Sequence, residues 1–225
     1  MGGLTNTARY RTAVGCSLLA LPLLWGCVTT AEHSGDQNTP RTFVYKCSDN
    51  YTFVTRIGDD HAWLFLPGQT VKLPQVPSGS GTKYSDGPIS FRSKGDEALL
   101  ETTRTTHRNC VNNRSLAIWE HAKLNGVDFR GVGNEPGWYL EIRNGESIQF
   151  VTNYGDDRYL FDNPKLRSDS TTRETVYRAV SPGHRLEVLL KGETCQDSMA
   201  DESYETRVRV DLDGRVYRGC GKALN

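Results

Sequence analysis

The sequence predicts an all-β protein, because its apolar residues recur in short alternating runs rather than in helical stripes. Turn residues such as Gly, Asp and Pro separate these runs at hairpin spacing, which indicates a barrel or a sandwich. The run Ser115–Leu124 is the one candidate helix, and it fits a strand equally well. The clearest runs of the first half are TFVYKC, YTFVTRI, AWLFL, TVKLPQV, ISFR and EALLETT.

The second half has the same strand-and-turn pattern and predicts a second small β-rich domain. Asn144-Gly145 separates two alternating runs and is a strong hairpin signal. Asp211-x-Asp213-Gly214 lacks the further acidic positions of a calcium loop, so we expect a type I′ turn there. We place the domains at residues 41–117 and 118–225.

The N-terminus predicts export and lipid attachment. Arg9 and Arg11 precede an apolar stretch that ends in Leu24-Trp25-Gly26-Cys27, which resembles the bacterial lipobox. Residues 1–26 are therefore expected to be a signal peptide, Cys27 the lipid-modified anchor, and residues 27–40 a flexible tether. The alternatives are an ordinary secretory signal cut near Gly26 and, less favoured, a single transmembrane anchor.

Four cysteines remain for the folded part: Cys47, Cys110, Cys195 and Cys220. Their spacing favours two local pairs, Cys47–Cys110 and Cys195–Cys220, although four cysteines allow three pairings. None has the spacing of a metal site, and His107, near Cys110, is expected to be solvated.

Composition and motifs argue against several function classes. The chain has 27 basic and 27 acidic residues, which gives no support to nucleic-acid binding. It contains no HExxH, GxSxG or GxxxxGK[ST] motif, so we expect no catalytic residues, no cofactor and no metal.

The most informative segment runs from Pro77 to Leu100. Gly79-Ser80-Gly81 predicts a loop whose backbone can approach a partner, Tyr84 resumes the apolar alternation, and Lys94-Gly95 predicts a turn after a strand. Two adjacent loops would then present a hydroxyl and an ammonium side by side. The plainer alternative is a flexible loop and a lysine that guards a strand end against aggregation.

This segment resembles the membrane-bound or periplasmic inhibitors of c-type lysozyme. The resemblance rests on Ser80-Gly81-Thr82-Lys83-Tyr84 and Lys94-Gly95-Asp96-Glu97-Ala98, and it extends from Thr42 to Cys110. It implies an eight-stranded antiparallel barrel that inserts both loops into the lysozyme cleft. The lysozyme-binding residues that it implies are Ser80, Lys94, Gly79, Gly81, Tyr84 and Gly95.

The resemblance makes c-type lysozyme the expected partner and the bacterial outer membrane, on its periplasmic side, the expected location. The main alternative is a structural or glycan- or protein-binding envelope lipoprotein without inhibitory activity. A hydrolase is less favoured, because no paired carboxylates with separable roles stand out. Gly131–Ile142 looks like part of an uncharacterised envelope domain, in which we expect Trp138 to be a core residue.

We predict that Cys27→Ser abolishes acyl labelling of the protein, because the substitution removes the sulfur that would carry the lipid. Metabolic labelling with a fatty acid, followed by cell fractionation, checks this. A wild-type protein that is fully soluble and carries no acyl label would contradict the lipoprotein assignment.

Overall fold

The computed structural model describes residues 41–197 and 202–225. The predicted signal peptide, Cys27 and the tether up to residue 40 lie outside the described residues. No helix in the described ranges combines the length and apolar character that a membrane crossing needs.

Eight antiparallel strands form a closed barrel in which each strand pairs with the next along the chain. This confirms the predicted barrel. Its strands are β1 (Arg41–Lys46), β2 (Thr52–Ile57), β3 (His61–Leu66), β4 (Gln69–Val76), β5 (Thr82–Ser85), β6 (Ser90–Lys94), β7 (Glu97–Glu101) and β8 (Thr106–Asn112).

The alternation in the sequence places every second side chain in the barrel interior. In β2, for example, Phe53, Thr55 and Ile57 are buried. Tyr45, Phe53 and Phe91 contact one another at ring-centroid distances of 5.4, 5.7 and 6.0 Å. These aromatic rings fill the space that a small closed barrel leaves for side chains.

The barrel closes over a short seam between β1 and β8. Only Tyr45↔Asn112 and Lys46↔Val111 pair there, and the Cys47–Cys110 disulfide follows at the next position. The Asn112 side chain adds a hydrogen bond, because its Oδ1 accepts from the Val44 N–H at 3.1 Å. A covalent bond and a side chain thus reinforce a seam that has few backbone pairs.

His107 is not solvated, so the expectation from the sequence is wrong. It is 7% exposed, its Nδ1 lies 2.6 Å from Asp49 Oδ2, and its ring stacks on Tyr51 with centroids 3.7 Å apart. The hydrogen bond with His107 holds the pKa of the Asp49 carboxyl below its usual range. Contacts with Asp49 and Tyr51, which are distant in sequence, bury this histidine in the barrel wall.

After the barrel comes helix α1 (Arg114–Leu124), where the sequence left helix and strand open. Asn113 is the N-cap, because its side chain accepts a hydrogen bond from the Leu116 N–H. The helix spans the division that we place at residue 117, and contacts join barrel, helix and the following sheet into one unit. The two-domain division stays a prediction.

A nine-stranded antiparallel sheet follows. Its strands are β9 (Phe129–Asn134), β10 (Gly137–Arg143), β11 (Ser147–Thr152), β12 (Asp157–Asp162), β13 (Lys165–Asp169), β14 (Glu174–Ser181), β15 (His184–Lys191), β18 (Thr206–Leu212) and β19 (Arg215–Ala223). They lie side by side in the order β12-β11-β10-β9-β19-β18-β15-β14-β13. A small hairpin of β16 (Cys195–Asp197) and β17 (Glu202–Tyr204) forms a separate two-stranded sheet, which the Cys195–Cys220 disulfide joins to β19.

Trp138 is 5% exposed and belongs to the core of this sheet, as expected. Its ring packs directly over the backbone, because a Cβ at Gly133 would lie 2.3 Å from Trp138 Nε1 and one at Gly219 would lie 2.7 Å from the same ring. The Asn144-Gly145 hairpin forms between β10 and β11. Positive φ at both Asp213 and Gly214 agrees with the expected type I′ turn.

Helix α1 packs on the other face of this sheet through Trp119. Trp119 contacts the ring of Tyr204 at 5.5 Å and shares a buried cluster with the disulfide-bonded Cys195 and Cys220. Beneath it lies an ion pair between Arg130 and Glu141, whose side chains are 10% and 13% exposed. Because burial desolvates the guanidinium and lowers the pKa of Arg130, this cation depends on its partner.

We predict that Glu141→Ala lowers the free energy of unfolding by about 3–5 kcal/mol, because it leaves the Arg130 charge buried and unpaired. The matched control is Glu187→Ala in the Arg178–Glu187 pair, whose side chains are 64% and 39% exposed; a cost of about 0–1 kcal/mol is expected there. Urea unfolding followed by circular dichroism measures both. Equal costs for the two variants would contradict the prediction.

Candidate functional site

The two loops singled out in the sequence meet at one end of the barrel. β5 and β6 pair through Thr82↔Ser93, which places Gly81 beside Lys94. Gly81 has φ of +65°, and a Cβ there would lie 2.4 Å from the Ser93 carbonyl oxygen and 3.2 Å from Lys94 Cβ. The loops approach so closely that position 81 has no room for a side chain.

The structure exposes most of the predicted site residues. Gly79, Ser80, Lys94 and Gly95 are exposed, and the Ser78 hydroxyl donates to the Ser80 carbonyl oxygen at 2.9 Å, which shapes the first loop. Tyr84 differs from these, because it is 2% exposed and stacks on Phe91 with centroids 6.0 Å apart. Tyr84 therefore supports the loops from the barrel core.

Around Lys94 lies an open depression of about 400 Å³. It has apolar walls from the barrel interior and a charged rim that contains the cations Arg41, Lys94 and Arg114 and the carboxylate Asp96. The lining residues are Arg41, Phe43, Ile57, Gly81, Thr82, Tyr84, Ser93, Lys94, Gly95, Asp96 and Arg114. Such a rim favours contact with an anionic surface.

Asp96 ties the second loop to the start of helix α1. Its carbonyl oxygen accepts from the Asn112 N–H at 2.8 Å, its Oδ1 accepts from Asn112 Nδ2 at 3.1 Å, and Arg114 pairs with its Oδ2. Hydrogen bonds from Arg114 and then Asn112 hold the pKa of the Asp96 carboxyl below its usual range. The carboxylate is therefore ionised at neutral pH.

Sequence analysis missed Arg41, Asp96 and Arg114 as members of this site. Asp96 is the third residue of the motif Lys94-Gly95-Asp96-Glu97-Ala98, so the motif could have identified it as a site residue. Arg41 and Arg114 reach the depression only through barrel closure and the chain path after β8, which no local motif indicates. Within the described ranges, no group of three or more His, Cys, Asp or Glu residues is placed to hold a metal ion.

Comparisons with known proteins find relatives of the barrel. The family model described as membrane-bound lysozyme-inhibitor of c-type lysozyme matches residues 45–109. A relative from Yersinia enterocolitica serotype O:8 / biotype 1B (strain NCTC 13174 / 8081), named membrane-bound lysozyme inhibitor of C-type lysozyme, is 32% identical over 93 residues. That alignment covers 41% of this chain and 74% of the relative. The chain belongs to this inhibitor family.

Membership in the inhibitor family rests on the barrel. The family match contains both motif loops and ends before Arg114, so helix α1 and the second sheet lie beyond it. No solved structure matches the chain. The family name associates these proteins with lysozyme inhibition and with a membrane, and it carries no information on the second sheet.

The glycines of the site give a graded stability prediction. Gly81→Ala is expected to lower the melting temperature most, because its methyl group would collide with backbone. Gly95→Ala should cost about 1–2 kcal/mol of backbone strain, since its φ is +61° in otherwise open space. Gly79→Ala, with open space and no positive φ, is the control and should change little. Thermal unfolding checks this order, and a fully stable Gly81→Ala variant would contradict the close approach of the loops.

Proposed function

We propose that this protein is an envelope lipoprotein that binds c-type lysozyme and inhibits it by inserting the Ser80 and Lys94 loops into the catalytic cleft. The observation that carries the proposal is the close approach of the two loops at Gly81, which presents Lys94 at the mouth of a barrel of the inhibitor family. The apolar walls of the depression allow a contact that excludes water.

The chemistry of the target supports this mode of inhibition. A retaining lysozyme uses two carboxyl groups roughly 5 Å apart, one protonated as the general acid and the other ionised. The Lys94 ammonium is suited to pair with the ionised carboxylate once water is excluded. Because that carboxylate must stay free to take part in hydrolysis, the pairing alone would stop the enzyme.

Ser80 suits the second carboxyl group. A hydroxyl both donates and accepts hydrogen bonds, so it can bind the acid in either protonation state. Gly79 and Gly81 keep the loop narrow enough to enter a cleft, and the buried Tyr84 fixes the loop to the barrel wall. Inhibition then needs no covalent step from this protein, and we propose that it is not an enzyme.

The location follows from the same proposal. A lipid on Cys27 would hold the barrel at the outer membrane, facing the periplasm, with residues 28–40 as a tether. There the inhibitor would meet lysozyme as the enzyme reaches the cell wall. The expected absence of acyl labelling in Cys27→Ser tests this part separately from inhibition.

We predict that Lys94→Ala weakens lysozyme binding by about 2–5 kcal/mol, because it leaves a lysozyme carboxylate buried and unpaired. That corresponds to a tens- to thousands-fold rise in Kd. Ser80→Ala should cost about 1–3 kcal/mol, since it removes one hydrogen-bonding group. Titration calorimetry of the soluble form (from Val28 onwards) against an animal c-type lysozyme, together with a cell-lysis assay, measures both effects.

The control for charge loss is Lys83→Ala, which removes a nearby lysine whose strand partner is Arg92 on the barrel wall; it should change Kd little. Circular dichroism must show that every variant is folded. A folded Lys94→Ala variant that inhibits as well as the parent would refute cleft insertion. A folded parent without inhibitory activity would favour the structural or glycan-binding alternative.

A further inference from the structure

Asp96 places a carboxylate in the depression that would meet the lysozyme carboxyl groups. Asp96 lines the same depression as Lys94 and follows it by two residues. An unpaired anion at this position would repel the anionic cleft and would compete for the Lys94 ammonium. Arg114, which pairs with Asp96 Oδ2, removes both problems.

We propose that Arg114 is a positioning residue for lysozyme inhibition, which neutralises Asp96 and holds the Lys94 turn against the start of helix α1. This inference rests on the proposed function and deepens it. Arg114 acts through Asp96 and through the turn that carries Lys94.

The exposure of the pair shows that its role is local. The Arg114 and Asp96 side chains are 78% and 38% exposed, and an exposed ion pair contributes little to global stability. The stability of the fold therefore does not depend on Arg114. The net charge of the rim does depend on it, because Arg114 neutralises Asp96. Arg114 supplies one of the three cations on the rim, and it is the one that pairs with the single carboxylate there, Asp96.

The rest of the chain fixes the helix that carries Arg114. Arg56 of the barrel donates to the Leu124 carbonyl oxygen at 2.8 Å and to Asn125 Oδ1 at 2.7 Å. From the second sheet, the Lys222 ammonium lies 4.8 Å from the centroid of a Trp119 ring. Barrel and second sheet therefore both hold helix α1, and Arg114, which lies beyond the family match, links the helix start to the Lys94 turn.

A comparison of two backgrounds tests the proposal on the whole soluble chain. Arg114→Ala is expected to raise the Kd for c-type lysozyme on the order of tenfold. In an Asp96→Asn background, the same substitution should change Kd by less than about threefold, because no carboxylate is left to neutralise. A role limited to holding the helix in place would give equal losses in both backgrounds.

The control for loss of an exposed arginine is Arg178→Ala in the second sheet, which should leave Kd unchanged. Circular dichroism and melting temperature show whether the variants are folded. No loss of affinity with Arg114→Ala, or equal losses in the two backgrounds, would overturn the inference. Lys94→Ala in the same series separates the two hypotheses, because a null result there refutes cleft insertion itself.

Discussion

The structure depends on closure of the barrel between β1 and β8. With only two residue pairs in this seam, the Cys47–Cys110 disulfide and the Asn112 side chain complete it. Asn112 also binds Asp96, so the residue that closes the barrel anchors the turn that carries Lys94. If the seam opened, the Lys94 turn and the start of helix α1 would both lose their support.

Much of the fold could be predicted because apolar and polar residues alternate along the strands, and this alternation indicates which side chains are buried. The paired loops followed from two short motifs, and the burial of Trp138 from its place beside a turn. Helix α1 was ambiguous for a physical reason, since Ile118 is 51% exposed beside the buried Trp119 and its apolar residues form no single stripe. The environment of His107 and the rim cations Arg41 and Arg114 depend on contacts between distant segments, and local sequence does not encode them.

The second sheet has its own core and its own disulfide, yet it is joined to the barrel through one helix. At this junction, Trp119 of the helix packs against both the Arg130–Glu141 pair and the Cys195–Cys220 disulfide. Separating the two charges of this buried pair would leave each of them uncompensated, and the Arg130 guanidinium also lies over the Trp119 ring. The junction therefore holds the orientation of α1, and with it the position of Arg114 at the barrel mouth.

The missing side chain at Gly81 limits how this surface can change over time. Because backbone meets backbone there, neither loop can be lengthened, tilted or given bulk at that point without displacing the other. Under the proposed mode of inhibition, adaptation to an altered target cleft would be confined to the loop tips, chiefly the side chains at Ser80 and Lys94. The loop backbone around Gly81 would then be retained, and selection by diverging lysozymes would act mainly on the few side chains at the loop tips.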